Sequence, residues 1–290
     1  MQQIVHDPAR MRALVAEARA SGRRVGFVPT MGALHAGHAS LVTSAAAGCD
    51  DVAVSIFVNP TQFGPQEDFA RYPRTLAADA ALLEPHRVRW IYVPEVSAVY
   101  PPGDATRIVV DGPAVRFEGE RRPGHFVGVA TVVCKLFLTV PADRAYFGAK
   151  DWQQMLVIKQ MVRDLGLPIE IVVCPTVREA DGLAMSSRNR YLSAADRPRA
   201  VALAEGLALA EQLWAAGVPA AAIEQAMRDA METRGVLVDY AALADPDSLE
   251  PLADGATQAL ALVAGRLGTT RLIDNRLLSG RGTSDRGLTR

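Results

Sequence analysis

Two hydrophobic periods alternate along the first half of the chain. Asp7 and Pro8 form a helix-start signal, after which Met11, Leu14, Val15 and Ala18 recur at helical spacing. The β-rich run RVGFVPT follows, then the small-residue helical stretch HASLVTSAAAGC, then the strand-like DVAVSIFVNP. Strand, helix and strand within about thirty-five residues is the size of a crossover unit. The alternation continues with TLAADAALLEPH and RWIYVPE, with HFVGVATVVCKLFLTV and RAYFG, and with DWQQMLVIKQMVRDLG and PIEIVVCPTV. Strands this apolar on both faces belong inside a parallel sheet covered by helices. The predicted class is α/β, a Rossmann-like doubly wound parallel sheet of about five strands, whose ligands bind beyond the strands' carboxyl ends.

After about residue 192 the pattern changes. Two alanine-rich helical stretches, AADRPRAVALAEGLALAEQLWAAGV and PAAAIEQAMRDAMETRG, precede the alternating runs VLVDYAAL, ATQALALVAGRLG and TRLIDNRLL. This predicts a first domain over residues 1–176 and a smaller C-terminal α+β domain over 177–290, joined around 177–193. Residues 281–290 are polar and glycine-rich, and a loose tail is expected there.

The 290 residues are 49 % hydrophobic and 22 % charged, an ordinary globular balance. The formal net charge is −1 with no dense basic block, so neither nucleic acid nor a membrane surface is expected as a partner. No secretory signal and no membrane span is expected from the apolar runs. Cys49, Cys134 and Cys174 are three, far apart and mostly within apolar runs, which fits reduced core cysteines in a cytoplasmic protein.

Polar, glycine-rich sequence follows four of the predicted strands: PTMGALHAGH, NPTQFGPQEDF, GAKDWQQ and READGLAMSSRNR. These segments are expected to meet at one edge of the sheet. Gly32 and Gly37 have P-loop spacing, but His38-Ala39 stands where that loop needs Lys and Ser or Thr. A glycine-rich turn at a helix N-terminus still aims N–H groups and a positive dipole end at an anion. His35 and His38, three apart, would project from one face of that turn and donate to phosphate oxygens; solvated or core histidines are the plainer reading. Metal ligation is a third reading, which the cysteine spacing does not complete. Ser186, Ser187 and Arg188 offer hydroxyls and a cationic fork to a polyphosphate, and Lys150 a mobile cation. Asp151 either caps the next helix or holds a ribose or the lysine. Gln62, Gln153 and Gln154 suit hydroxyl or carboxylate groups, or are merely structural, and spacing does not separate these. The residues alone point to a nucleotide-dependent transferase or ligase, with a nucleotide-sensing module as the non-enzymatic alternative.

HAGH with the later MSSRN resembles the paired signature of the nucleotidyltransferase superfamily that includes class I aminoacyl-tRNA synthetases. Within it, PTMGALHAGH, FVNPTQFG, YPRT, FGAKDWQQ and PTVREADGLAMSSRNRYL, in this order, resemble the pantoate-β-alanine ligase family from about residue 4 to residue 280. The resemblance implies condensation of pantoate with β-alanine through a pantoyl adenylate, with ATP as substrate, Mg2+ accompanying it, and a cytoplasmic homodimer working in coenzyme A biosynthesis. It makes the first domain the nucleotide- and pantoate-binding one and 177–193 an active-site hinge loop. Catalytic roles are implied for His35, His38, Lys150, Ser186, Ser187 and Arg188. ATP contacts are implied for Met31, Gly148, Lys150, Asp151, Val177, Met185, Ser186 and Arg188. Gln62 and Gln154 would take pantoate, Asn59 and Tyr72 would lie near the β-alanine entrance, and Asp79 near the metal. Ala36 stands where a longer polar residue is common in the family.

Overall fold

The computed structural model describes residues 2–65 and 67–281. It separates into two compact units, Met1–Val177 and Arg178–Arg290.

In the first unit six parallel strands form one sheet: β1 (Gln3–Val5), β2 (Val25–Thr30), β3 (Asp51–Ile56), β4 (Val88–Tyr92), β5 (Arg144–Gly148) and β6 (Glu170–Cys174), in the order β1-β4-β3-β2-β5-β6. The period-2 alternation sends neighbouring side chains to opposite faces. Phe27, Ala53, Trp90, Tyr92, Ala145 and Phe147 enter one core; Val28, Val52, Val54, Ile91 and Tyr146 enter the other. Helix α1 (Pro8–Ala20) and the helices His125–Thr139 and Trp152–Asp164 cover the first face, while α2 (Ala36–Gly48) and α3 (Leu76–Leu83) cover the second. This is the doubly wound sheet that the sequence predicts, with β1 as a sixth strand. Three residues carry too little period for β1 to be read from sequence.

From β2 the chain moves outward through β3 to β4, then returns to place β5 on the other side of β2 and β6 beyond it. The order therefore reverses between β2 and β5, and such a reversal leaves a crevice beyond the strands' carboxyl ends. The segments after β2 and β5 border it.

In the second unit the antiparallel sheet β7 (Leu237–Ala244), β8 (Ala259–Leu267) and β9 (Thr270–Leu278) packs against helices Ala202–Ala215 and Ala220–Thr233. Trp214, Ile223, Met227 and Met231 fill that core with Ala259, Ala261 and Val263. Of the tail expected to be loose, residues 282–290 lie outside the described residues. No helix among the described residues is long and apolar enough to cross a membrane.

Candidate functional site

The turn after β2 departs from ordinary backbone geometry. Gly32 has φ +83° and Ala33 φ +51°, both in the left-handed region, which costs an alanine roughly 1–2 kcal/mol. Asp79, on α3, offsets that cost. Its carboxylate is 2 % exposed and accepts from Ala33 N at 3.1 Å, Leu34 N at 2.8 Å and Thr75 Oγ1 at 3.2 Å. Thr30 Oγ1 adds a further tie, donating to Ser55 O at 2.6 Å and accepting from Gly32 N at 3.2 Å.

So held, the turn delivers His35 to the N-cap of α2 and His38 to the third position of its first turn. His35 Nδ1 accepts from Gly37 N at 3.2 Å, and His38 Nδ1 accepts from His35 N at 3.3 Å. A backbone N–H only donates, so Nδ1 of each ring is the acceptor and Nε2 carries the hydrogen. The ring centroids are 4.2 Å apart. Burial, then His35, push the His38 pKa down to about 3; Lys150 lowers it further and Asp151 opposes. The positive end of α2 works in the same direction. Both side chains are half-buried. His38 is therefore a neutral imidazole at pH 7 with Nε2–H as its donor, in the first turn of α2.

Lys150 and Asp151 follow β5 directly, and β5 is the neighbour of β2, so the order reversal sets the β5 segment beside the β2 turn. Lys150 Nζ lies 3.5 Å from Asp151 Oδ1. Asp151 occupies the cap position of helix Trp152–Asp164 without a side-chain cap bond, so the capping reading of it is not realised. Gly148 ends β5. The two adjacent glutamines differ. Gln153 is 4 % exposed and wholly structural: its Oε1 accepts from Glu118 N at 3.0 Å, and its Nε2 donates to Pro113 O at 2.8 Å and Arg116 O at 2.7 Å. Gln154 is half-buried on the same turn.

The β3 segment supplies Asn59 and Gln62. Gln62 Nε2 lies 3.2 Å from Met31 Sδ, which brings this segment against the β2 turn as well. Asn59 is 1 % exposed, and its amide is committed to Gln62, Gly128, Thr61 and Tyr100. Tyr72 is buried, its ring 5.8 Å from that of Phe63. A cavity of about 230 Å3 opens beside this cluster, lined by Met31, Val58, Phe69, Arg74, Asp79 and Glu95. Asp79, expected near the metal, turns its oxygens to the backbone N–H groups of the β2 turn.

Val177 ends the first unit, and Met185, Ser186, Ser187 and Arg188 belong to the second. There Arg178 and Ala184 form a bridge, Glu179 N donates to Leu183 O at 2.8 Å, and Ser186 caps the turn Ser187–Tyr191 by accepting from Arg188 N at 3.3 Å. Asn189 braces the loop through Glu179 Oε1 at 2.7 Å and Ala184 O at 3.1 Å.

Sequence reading singles out neither Arg122 nor His125. His125 nonetheless opens a largely apolar 15-residue helix, and a buried polar residue there is a signal.

Comparison with known proteins agrees over nearly the whole length. The family model described as pantoate-beta-alanine ligase matches residues 3–277. A pantothenate synthetase of Acidiphilium cryptum is 54 % identical over 273 residues, 94 % of this chain and 98 % of that protein. One from Xanthomonas euvesicatoria is 52 % identical over 278 residues, 95 % and 99 % of the two chains. Among solved structures, pantothenate synthetase from Thermus thermophilus superposes with a TM-score of 0.90 at 47 % identity, covering 94 % of this chain and 98 % of that one. The pantoate-beta-alanine ligase of Francisella tularensis, complexed with beta-gamma ATP and beta-alanine, gives a TM-score of 0.80 at 33 % identity, covering 96 % and 98 %. With its doubly wound sheet, its pair of Nε2–H imidazoles at the order reversal and this full-length likeness, the chain belongs to the pantoate-beta-alanine ligase family.

Proposed function

We propose that this protein joins pantoate to β-alanine at the expense of ATP, through a pantoyl adenylate, releasing pyrophosphate and AMP. The observation that carries this reading is the pair of neutral imidazoles capping α2 at the order reversal, with Lys150 and Asp151 following the neighbouring strand β5. Pantoate is already a carboxylate at pH 7, so adenylation needs no strong base. It needs two anions brought together and the charge growing on the phosphate stabilised, which is work for oriented donors and cations. A carboxylate oxygen attacks the α-phosphorus and the bond to pyrophosphate breaks; the amine then attacks the acyl carbon and the bond to AMP breaks.

His35, His38 and Met31 line the phosphate path. Lys150 takes the β and γ phosphates, the role that the family resemblance also gives Ser186, Ser187 and Arg188, with Met185 among the ATP contacts; Asp151, Gly148 and Val177 take the ribose and adenine. Gln62 and Gln154 hold pantoate, and Tyr72 borders the β-alanine entrance. Asn59 acts through Gln62, since its own amide is fully engaged. Mg2+, when bound, neutralises phosphate charge. With Asp79 committed to the backbone, the donor set fits a cation carried mainly by phosphate oxygens and water. The segment 177–193 serves as the hinge of the active site, and the working form is a cytoplasmic homodimer.

The test is AMP formation that depends on both pantoate and β-alanine. Without β-alanine, pyrophosphate release stops near one equivalent of enzyme. Sustained release without it identifies an enzyme that lets its adenylate go, and ATP binding with no pyrophosphate under any acceptor identifies a sensor.

A further inference from the structure

Gln62, read above as a pantoate ligand, is gripped at its carbonyl, its side-chain oxygen and its side-chain nitrogen. Its main-chain carbonyl lies 2.9 Å from His125 Nδ1, its Oε1 accepts from Asn59 Nδ2 at 3.0 Å, and its Nε2 meets Met31 Sδ at 3.2 Å. Partners that cannot change role decide where the hydrogens are. A carbonyl only accepts, so His125 Nδ1 carries the hydrogen and Nε2 is the acceptor. Arg122 Nη1, 2.9 Å from that Nε2, can only donate. The same logic fixes Asn59, because Thr61 N donates to its Oδ1 at 3.3 Å and Gly128 O accepts from its Nδ2 at 3.2 Å. Gln62 consequently turns its oxygen toward Asn59 and its nitrogen toward Met31.

Arg122 is itself anchored, Nε and Nη2 each lying 2.7 Å from an oxygen of Glu67. The helix His125–Thr139 also approaches this segment backbone to backbone. A methyl group on Gly128 would lie 2.4 Å from Thr61 O and 2.7 Å from Gln62 Cα, closer than any real contact. The first turn of that helix is thus a rigid seat for Gln62.

We propose that Arg122 and His125 are positioning residues for the substrate-binding amide of Gln62. Arg122 holds His125 as the Nδ1–H tautomer, His125 pins the Gln62 carbonyl, and the amide meets substrate nitrogen first. A nitrogen-first amide selects an oxygen that accepts, such as a carboxylate or hydroxyl of the hydroxy acid. This inference rests on the reading of Gln62 as a pantoate ligand.

The experiment measures pantoate KM and ATP KM for wild type, His125→Phe, His125→Asn and Gln62→Ala, with the 15N shifts of His125 in the wild-type protein. Phenylalanine keeps the ring and removes the N–H; losing one buried hydrogen bond raises pantoate KM by about tenfold while ATP KM stays within about twofold. Asparagine carries a nitrogen as many bonds from Cα as Nδ1 and recovers most of the loss. The shifts show a protonated Nδ1 and a bare Nε2, a readout that needs no variant to fold. A protonated Nε2, or a pantoate KM moved by Gln62→Ala but not by a folded His125→Phe, overturns the positioning role and leaves Gln62 as ligand. A pantoate KM indifferent to Gln62→Ala, or a wild-type protein without pantoate-dependent pyrophosphate release, overturns the functional reading and this inference with it.

Discussion

Replacing Asp79 by Asn separates a structural carboxylate from a metal ligand. Asparagine keeps one oxygen and turns an NH2 group toward the other backbone donor, so either Ala33 N or Leu34 N, now 3.1 and 2.8 Å from a carboxylate oxygen, faces a donor instead. Hydrogen bonds to a charged acceptor contribute about 1.5–3 kcal/mol each, and a stranded buried N–H costs about as much as the bond it loses. The turn with left-handed Gly32 and Ala33 then loses one of its two carboxylate bonds and keeps the tie from Thr30. A destabilisation of about 2–3 kcal/mol follows, which at about 2–4 °C per kcal/mol lowers Tm by roughly 5–10 °C. Because the same turn sets His35 and His38, pantoate-dependent pyrophosphate release falls by about a hundredfold even where the variant is folded. Thermal unfolding followed by circular dichroism, with a Mg2+ titration of pyrophosphate release, reads both effects. An unchanged Tm together with a raised Mg2+ requirement would mean that Asp79 binds the cation and that the loop is held otherwise.

His38→Ala removes an oriented donor and lowers pantoate-dependent exchange of pyrophosphate into ATP by about 100- to 1,000-fold with the fold intact; wild-type exchange removes His38 from the reaction. His38 and His125 titrate in the folded chain at about 3 and about 4 against 6.5 ordinarily, both chiefly through burial, so below pH 6.5 the unfolded chain binds more protons. Their stabilisation is complete above about pH 6.5 and is lost as pH falls toward 4. The urea midpoint is lower at pH 5 than at pH 7.5, with a smaller drop in His125→Asn, and equal midpoints would contradict neutral rings held with lowered pKa values. In the second unit Asp274 is 3 % exposed and takes both arms of Arg178, at 2.6 and 3.1 Å. Asp274→Ala leaves that guanidinium without its counter-charge at a cost of about 3 kcal/mol, seen as faster amide exchange along β9; unchanged exchange there refutes the role.

The architecture was legible because local periods encode it. Phe27 and Val28, or Tyr146 and Phe147, are adjacent in sequence and enter opposite cores, so a period of two was enough to find a sheet covered on both faces. The placing of the loops after β2, β3 and β5 was legible for the same reason, since glycine-rich and polar runs follow strands at the crevice that the topology creates. The histidine pair illustrates the limit. Three-residue spacing puts both on one face, but which nitrogen each ring presents follows from backbone donors of Gly37 and His35, which depend on His35 being the cap. Gln153 and Gln154 sit side by side, and only the packing of their helix decides that one is consumed by Glu118, Pro113 and Arg116 while the other is half-buried.

Polar closure across long separations leaves no local trace. Asp79 meets residues 45 and 46 positions earlier, and His125 meets a carbonyl 63 positions earlier. Periodicity therefore states where a crevice lies, while distant single hydrogen bonds state which way each donor in it points. Donor direction separates a loop that grips a phosphate from one that merely passes it, because an oriented N–H needs no reorganisation as charge develops. The side chains that set those directions are accordingly the ones with the weakest sequence signature: a carboxylate on α3, an asparagine after β3, and a histidine opening a largely apolar helix.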